Sequence, residues 1–266
     1  MGRDAFGDFL QHSLEKAGID CTGLCRDSRV PTTLAFVQLD EQGERKFSFY
    51  RDPGADVMLR PEELRTDLLE NCRIFHYGSV SLTGDPSREA TYAAVRAAGR
   101  AGALLSCDPN YRPLLWKDEE TAVREMKKAV SMADIVKVSQ EEMTLLTGET
   151  DLKAGAEQIK QTGPLAVVVT CDSRGAYFDA PAGCGMVPGF SVKAVDATGA
   201  GDAFWGALLS KIPGRGRETL RTMTLTDWKE AVRFANGAGA LTVTKKGAIP
   251  AMPDRETLEE FLKNRA

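Results

Sequence analysis

The 266-residue sequence predicts an α/β protein with a mostly parallel central sheet covered by helices on both faces. From Arg73 onward, short apolar stretches alternate with segments of helical periodicity. The stretches, above all Leu165–Thr170, are apolar nearly throughout rather than alternating, as strands buried on both faces are. A content of 42% hydrophobic residues suffices for one large core in a chain of this length, so residues 1–266 are expected to form a single domain.

Arg3–Ala17 places Phe6, Phe9, Leu10, Leu14 and Ala17 at helical spacing, with Gly18 as the stop. This helix begins without a preceding strand to pack it, which reads as an incomplete N-terminus. From Pro31, Thr-Thr-Leu-Ala-Phe-Val-Gln-Leu reads as a strand, Asp40–Gly43 as a turn, and Arg45–Arg51 as a second strand. The resulting hairpin, 32–51, stands outside any strand–helix rhythm and is expected to act as a lid, with Tyr50 and Arg51 at its end. A short helix follows at Pro61–Leu69. The rhythm then runs through a strand at Arg73–Tyr77, a helix at Pro86–Arg100 entered by its proline, and strands at Ala103–Cys107 and Asp134–Val138. A helix at Lys153–Gln161, the strand Leu165–Thr170, and a turn at Gly175 into Ala176–Asp179 complete it. The last helix, Asp227–Thr242, contains Ala-Asn-Gly-Ala-Gly-Ala at 235–240, small side chains that either pack tightly on a sheet or admit a flat ring. Ligands of parallel sheets lie at the carboxyl ends of strands, which gathers Asp108, Asn110, Arg112, Ser139, Glu142, Thr170 and Asp172.

The stretch Val195–Leu209 carries the chemistry. Gly199 and Gly201 let the backbone curl, and a helix follows with Ala203, Phe204, Ala207 and Leu208 on one side. Such a start aims unpaired amides and the positive end of a helix dipole at an anion, and a phosphate fits. Asp202 adds a carboxylate able to take a proton from an attacking hydroxyl. Phosphoryl transfer to an alcohol needs both parts. A bare Gly-x-Gly-Asp is an ordinary helix start, but Asp-x-Thr-Gly-x-Gly-Asp has five fixed positions, with a chance occurrence on the order of 10⁻⁴ in such a chain.

With 34 Lys and Arg against 38 Asp and Glu, the net charge is −4 and there is no basic run, which argues against a nucleic-acid or membrane-surface partner. Six cysteines without a Cys-x-x-Cys pair, and two histidines, point to reduced thiols in a cytoplasm and away from a metal cluster. No apolar run approaches a membrane span, and the N-terminus lacks a signal pattern. The Gly-x-x-x-x-Gly-Lys-[Ser/Thr] loop and the third glycine of a dinucleotide fingerprint are both missing. His12 and His76 are assigned no catalysis, and Trp116 and Phe204 are read as core.

The chain resembles the ribokinase-like (PfkB) sugar kinases, nearest their fructokinase branch, through Phe75–Ser79, Asp108–Trp116, Lys137–Glu142, Leu146–Gly148, Asp196–Asp202 and Thr244–Pro250. The resemblance implies a ribokinase-like three-layer α/β/α sandwich with a small β lid. It implies ATP-dependent phosphorylation of a ketohexose, D-fructose to fructose 6-phosphate first, with 2-keto-3-deoxygluconate kinase as the alternative. By this likeness Gly199, Ala200 and Gly201 form the anion hole and Asp202 is the base. Arg51, Asn110 and Arg112, together with Asp202, would face the sugar, and Ser139, Glu142, Thr170, Gly175, Gly199, Gly201 and Asn236 would border ATP. Glu142 matches the Glu of a magnesium and phosphate motif. Asp196 and Thr198, with carbonyls near Lys246 and Ala248, resemble a potassium loop. Lids of related kinases pair, which implies a homodimer. Ser139 stands where the family usually has Asn, and Ala197 where Thr is frequent. The family's opening strand, with its substrate-binding Asp and Gly-Gly-x-x-x-Asn segment, does not precede Met1; the chain starts at the family's Val-Gly-x-Asp-x-Phe-Gly with Met in place of Val. This implies an N-terminally truncated chain with the lid partly missing, and keeps a non-catalytic family member as a further alternative.

Overall fold

A computed structural model describes residues 1–39 and 45–265. Asp4 starts α1 (Ala5–Lys16), its carboxylate accepting the Gly7 amide at 2.8 Å, as an N-cap does. The same carboxylate accepts the Thr32 amide at 2.7 Å and the Thr32 hydroxyl at 2.8 Å. Arg26 adds bonds to the Gly2 carbonyl at 2.9 Å, Gln11 at 2.8 Å and Asp8 at 2.6 Å. Asp4, Gly7, Asp8 and Gln11 share one helical face, so α1 is attached by its polar side. The apolar side, which no preceding strand packs, looks outward: Phe6 and Phe9 are 55% and 68% exposed, and Gly7 is the buried residue of the helix.

β1 (Leu34–Leu39) and β2 (Arg45–Tyr50) pair antiparallel with Leu34 opposite Tyr50, forming the expected hairpin. The turn expected at Asp40–Gly43 lies outside the described residues. Phe36 and Tyr50 meet edge to face at 5.3 Å, and both rings are exposed. The single helix expected at Pro61–Leu69 is instead a 3₁₀ turn, Pro61–Glu63, and then α2 (Thr66–Asn71), separated by extended backbone at Leu64.

The main sheet runs in the order β3 (Ile74–Gly78), β4 (Leu104–Asp108), β5 (Ile135–Ser139), β6 (Ala166–Thr170), β7 (Gly175–Ala180), β8 (Gly183–Pro188). The first four strands are parallel and joined through α3 (Ser87–Arg100), α4 (Glu119–Ser131), α5 (Gln140–Thr147) and α6 (Leu152–Gln161). β7 and β8 are antiparallel additions, because the connections at 171–174 and 181–182 are too short to cross the sheet. The remaining helices are α7 (Ala200–Lys211), α8 (Thr219–Thr222), α9 (Leu225–Thr242) and α10 (Arg255–Lys263). Sequence periodicity missed α4, α5, β8, α8 and α10. Start signals for α4 were present: Asp118 accepts the Thr121 amide at 2.7 Å and two glutamates follow.

Alternate strand residues feed two cores. Val136, Val138, Val167 and Val169 join Val95, Met126, Met143 and Ile159 on one side. Leu104, Ile135, Val168 and Phe178 join Phe204, Trp205, Leu208 and Trp228 on the other. Phe178 and Trp228 are fully buried, with rings 6.1 Å apart and 11° from parallel. Burying each such side chain contributes roughly 2–3 kcal/mol. Trp116 and Phe204 are buried as expected. Among the described residues no helix is long and apolar enough to cross a membrane. Register sets Gly78 beside Asp108 and Ser139 beside Thr170, so the carboxyl ends of the parallel strands form one rim.

Candidate active site

α7 opens on that rim. Its N-cap, Gly199, has φ +79, a left-handed conformation that glycine adopts without strain, and a β-carbon there would stand 3.1 Å from Ala248. The Ala203 amide closes the first turn on the Gly199 carbonyl at 2.8 Å, and the Ala200 amide bends back to the Ala197 carbonyl at 3.3 Å. The amides of Gly201 and Asp202 precede the first intrahelical donor and point out of the helix start. Asp202, in the same turn, is exposed. Further along, Phe204, Trp205 and Leu208 lock α7 into the core. The reason for glycine at 201 differs from that at 199: a β-carbon there would lie 3.2 Å from Lys137 Nζ.

Lys137 was not singled out from the sequence, although one lysine in the apolar strand Ile-Val-Lys-Val was a usable signal. It is buried, and its Nζ lies 2.8 Å from Asp108 Oδ2 in an equally buried ion pair. Burial pushes the Asp108 carboxyl up to about 6, with Lys137 pulling it down and the charges of Glu142 and Asp202 pushing it up. Asp108 Oδ1 accepts the Asn110 amide at 3.1 Å. Glu142 accepts the Tyr111 amide on Oε1 and the Ser139 amide on Oε2, both at 2.7 Å, while Ser139 Oγ accepts the Glu142 amide at 3.1 Å. That reciprocal pair is the capping box of α5. Asn110 takes φ +50, and Arg112 is exposed on the loop so held. On the same face, the Trp205 indole donates to Ser106 Oγ at 2.9 Å, and His76 Nδ1 lies 3.0 Å from that oxygen.

The residues expected around the nucleotide also converge. Thr170 pairs with Ala176, and Gly175 pairs with Pro188. Gly175 has φ +105, and a β-carbon would stand 2.1 Å from the Val187 carbonyl. The Asn236 amide donates to the carbonyls of Val187 and Pro188, both at 3.1 Å, so this side chain holds the end of β8. At the proposed potassium loop, Asp196 Oδ1 accepts the Thr198 amide and hydroxyl at 2.9 and 2.7 Å, and Oδ2 accepts the Gly247 amide at 3.0 Å. The segments 196–199 and 246–248 therefore lie side by side.

Arg51 is engaged elsewhere. Its guanidinium donates to Asp56 at 2.7 Å, Thr83 at 2.8 Å and the Val80 carbonyl at 3.1 Å, pinning the hairpin to the loop after β3. A cleft of about 270 Å³ lies beside Asp202, lined also by Gly206, Ser210, Met252 and Arg255. The larger cavity, about 460 Å³, sits at the far end of α7 near Lys211, away from the rim. Among the described residues no three His, Cys, Asp or Glu side chains gather to hold a metal ion, so a cation here draws on backbone carbonyls, single carboxylates or substrate phosphates.

Residues 1–255 match the model of the pfkB family of carbohydrate kinases. The chain is 42% identical over 267 residues to fructokinase-2 of Solanum habrochaites, spanning all of this chain and 80% of that protein. A fructokinase from Xylella fastidiosa, solved with bound ATP, superposes with a TM-score of 0.93 at 36% identity, covering 100% of this chain and 84% of that one. The fructokinase of Vibrio cholerae O395, solved with fructose, ADP and calcium ion, gives a TM-score of 0.86 at 35% identity, covering 98% and 83%. The chain is a member of the pfkB carbohydrate kinase family.

Proposed function

We propose that this chain transfers the γ-phosphoryl group of ATP to the primary hydroxyl of D-fructose, giving fructose 6-phosphate and ADP. The observation that carries the reading is Asp202, an exposed carboxylate in the first turn of α7 beside the outward amides of Gly201 and Asp202. The sugar oxygen bonds to the γ-phosphorus as the bond to the bridging oxygen of ADP breaks, and the hydroxyl proton passes to Asp202. The amides and the helix dipole stabilise charge on the transferring oxygens. Asn110 and Arg112 position the sugar, and Thr170, Gly175 and Asn236 border the nucleotide. Mg²⁺ bound with the nucleotide supplies charge neutralisation at the phosphate oxygens. Glu142 suits it through water, because both its oxygens already accept backbone amides. The Asp196 carboxylate and the carbonyls around Lys246 and Ala248 offer the oxygen donors that a potassium ion takes. A homodimer through the hairpins has support in the exposed rings of Phe36 and Tyr50, and a cytoplasmic setting in six free thiols.

The test is ATP turnover by the purified chain with fructose, Mg²⁺ and K⁺. Asp202→Ala is expected to lower kcat by roughly 10²–10⁴. Near-parental turnover by that variant would remove Asp202 from its role. Preference for 2-keto-3-deoxygluconate in a substrate panel would change the acceptor, and a folded chain without turnover on any sugar would be the non-catalytic family member.

A further inference from the structure

Two consecutive amides of the loop bearing Asn110 and Arg112 are held by two buried carboxylates. Asp108 accepts from Asn110, and Glu142 accepts from Tyr111. Each carboxylate is tied in turn to the phosphate side of the rim. Glu142 reaches the start of α5 through Ser139, and Asp108 reaches Lys137, whose ammonium lies directly under Gly201. The sugar-facing loop and the anion loop are therefore linked through one buried ion pair. A buried pair is a poor way to add stability, since apolar side chains of similar size are often as good or better, so its presence here calls for another use. Asn110, held at φ +50, marks a loop whose backbone is dictated by its anchors.

We propose that Lys137 and Asp108 are a positioning pair that couples the two halves of the site: filling the nucleotide side fixes the anion loop, and through Lys137 and Asp108 fixes the Asn110–Arg112 loop for the sugar. The proposal rests on the kinase reading above. Its signature is reciprocal: each substrate tightens the other by the same factor. Glu142 acts in parallel from α5 and leaves part of the loop anchored when the pair is removed.

The experiment is calorimetric titration of fructose into the full chain, with and without a non-hydrolysable ATP analogue and Mg²⁺. In the wild type the analogue should lower the fructose Kd by about fivefold or more. In Lys137→Met/Asp108→Leu, which removes both charges together, that ratio should fall to within about twofold of one. The kcat should also drop by about 10²-fold, as loss of alignment does, while the melting temperature stays near that of the wild type. Asp108→Asn, which keeps shape and hydrogen-bonding capacity, should lower the ratio in the same direction and serves if the double variant does not fold. A wild-type ratio of one, or a folded variant that keeps both ratio and kcat, overturns the proposal. If the wild type turns over a different sugar, the ratio is measured with that sugar and only the fructose reading fails. If no sugar binds, both readings fail.

Discussion

Residues 1–39 and 45–72, on one hand, and residues 73–265, on the other, are built on different forces. In the first region charged side chains make the attachments: Asp4 to Gly7 and Thr32, Arg26 to Gly2 and Gln11, Arg51 to Asp56 and Thr83. Phe6, Phe9, Phe36 and Tyr50 meanwhile stand exposed. In the second, two apolar cores clamp the sheet, and of its buried charged groups Lys137, Asp108 and Glu142 sit at the rim where substrate is expected, whereas Glu125 accepts from the Tyr92 hydroxyl and Asp134 from the Leu105 amide. Hydrogen bonds fix where an element goes while adding about 1 kcal/mol each, whereas packed apolar area sets how firmly it stays. A buried charge at the rim of the firm region therefore points to chemistry, and an exposed ring in the other region does not.

The contrast has measurable consequences. Phe178→Ala, at a fully buried ring stacked on Trp228, should cost roughly 3–5 kcal/mol in urea unfolding; a cost under about 1 kcal/mol would mean the second core is not close-packed. Acid should act oppositely on the carboxylates that anchor the first region and on buried Asp108. Amides of Thr32 and Gly7 hold the Asp4 carboxyl below the usual range, and hydrogen bonds from Arg29 do the same for Asp27. Their support is present above about pH 4 and is lost as pH falls through those depressed values. Asp108, raised to about 6 by burial, keeps in the native state a proton that the unfolded chain releases. Its contribution to stability therefore increases as pH falls from about 6 to about 4. Amide exchange resolved by region should show α1 loosening while the sheet tightens, and Asp108→Asn should abolish the tightening. The smallest effect is expected for Phe9→Ser, within about 0.5 kcal/mol, because the ring is 68% exposed. A clear loss of stability would show that the apolar side of α1 is packed after all.

The same division decides what could be read from the sequence. Leu165–Thr170 and Ala103–Cys107 announced buried strands by being apolar throughout, and both fall in the sheet close to their expected bounds. The start of α7 was legible because a left-handed glycine and an adjacent carboxylate are local features. The sequence read α1 as a helix with no preceding strand to pack it, and its apolar face is indeed exposed, since helical spacing identifies such a face but not what covers it. β8, with two glycines and a terminal proline, carries one branched residue, Val187, of the kind that marks a strand. Lys137 and Asp108 stand 29 positions apart, and only the parallel pairing of β4 with β5 brings them together. Arg51 was legible as a functional-looking residue, but its partners Asp56, Thr83 and Val80 come from folding back of the hairpin base.

One helix, α7, presents Asp202 at its first turn and drives Phe204, Trp205 and Leu208 into the core along its length. On heating, the carboxylate cannot lose its place until that core melts, so irreversible inactivation should coincide with global unfolding. Arg51 and the hairpin depend on polar attachments that fray sooner. Warming should therefore loosen the hairpin first, with the maximal rate collapsing only at the melting point.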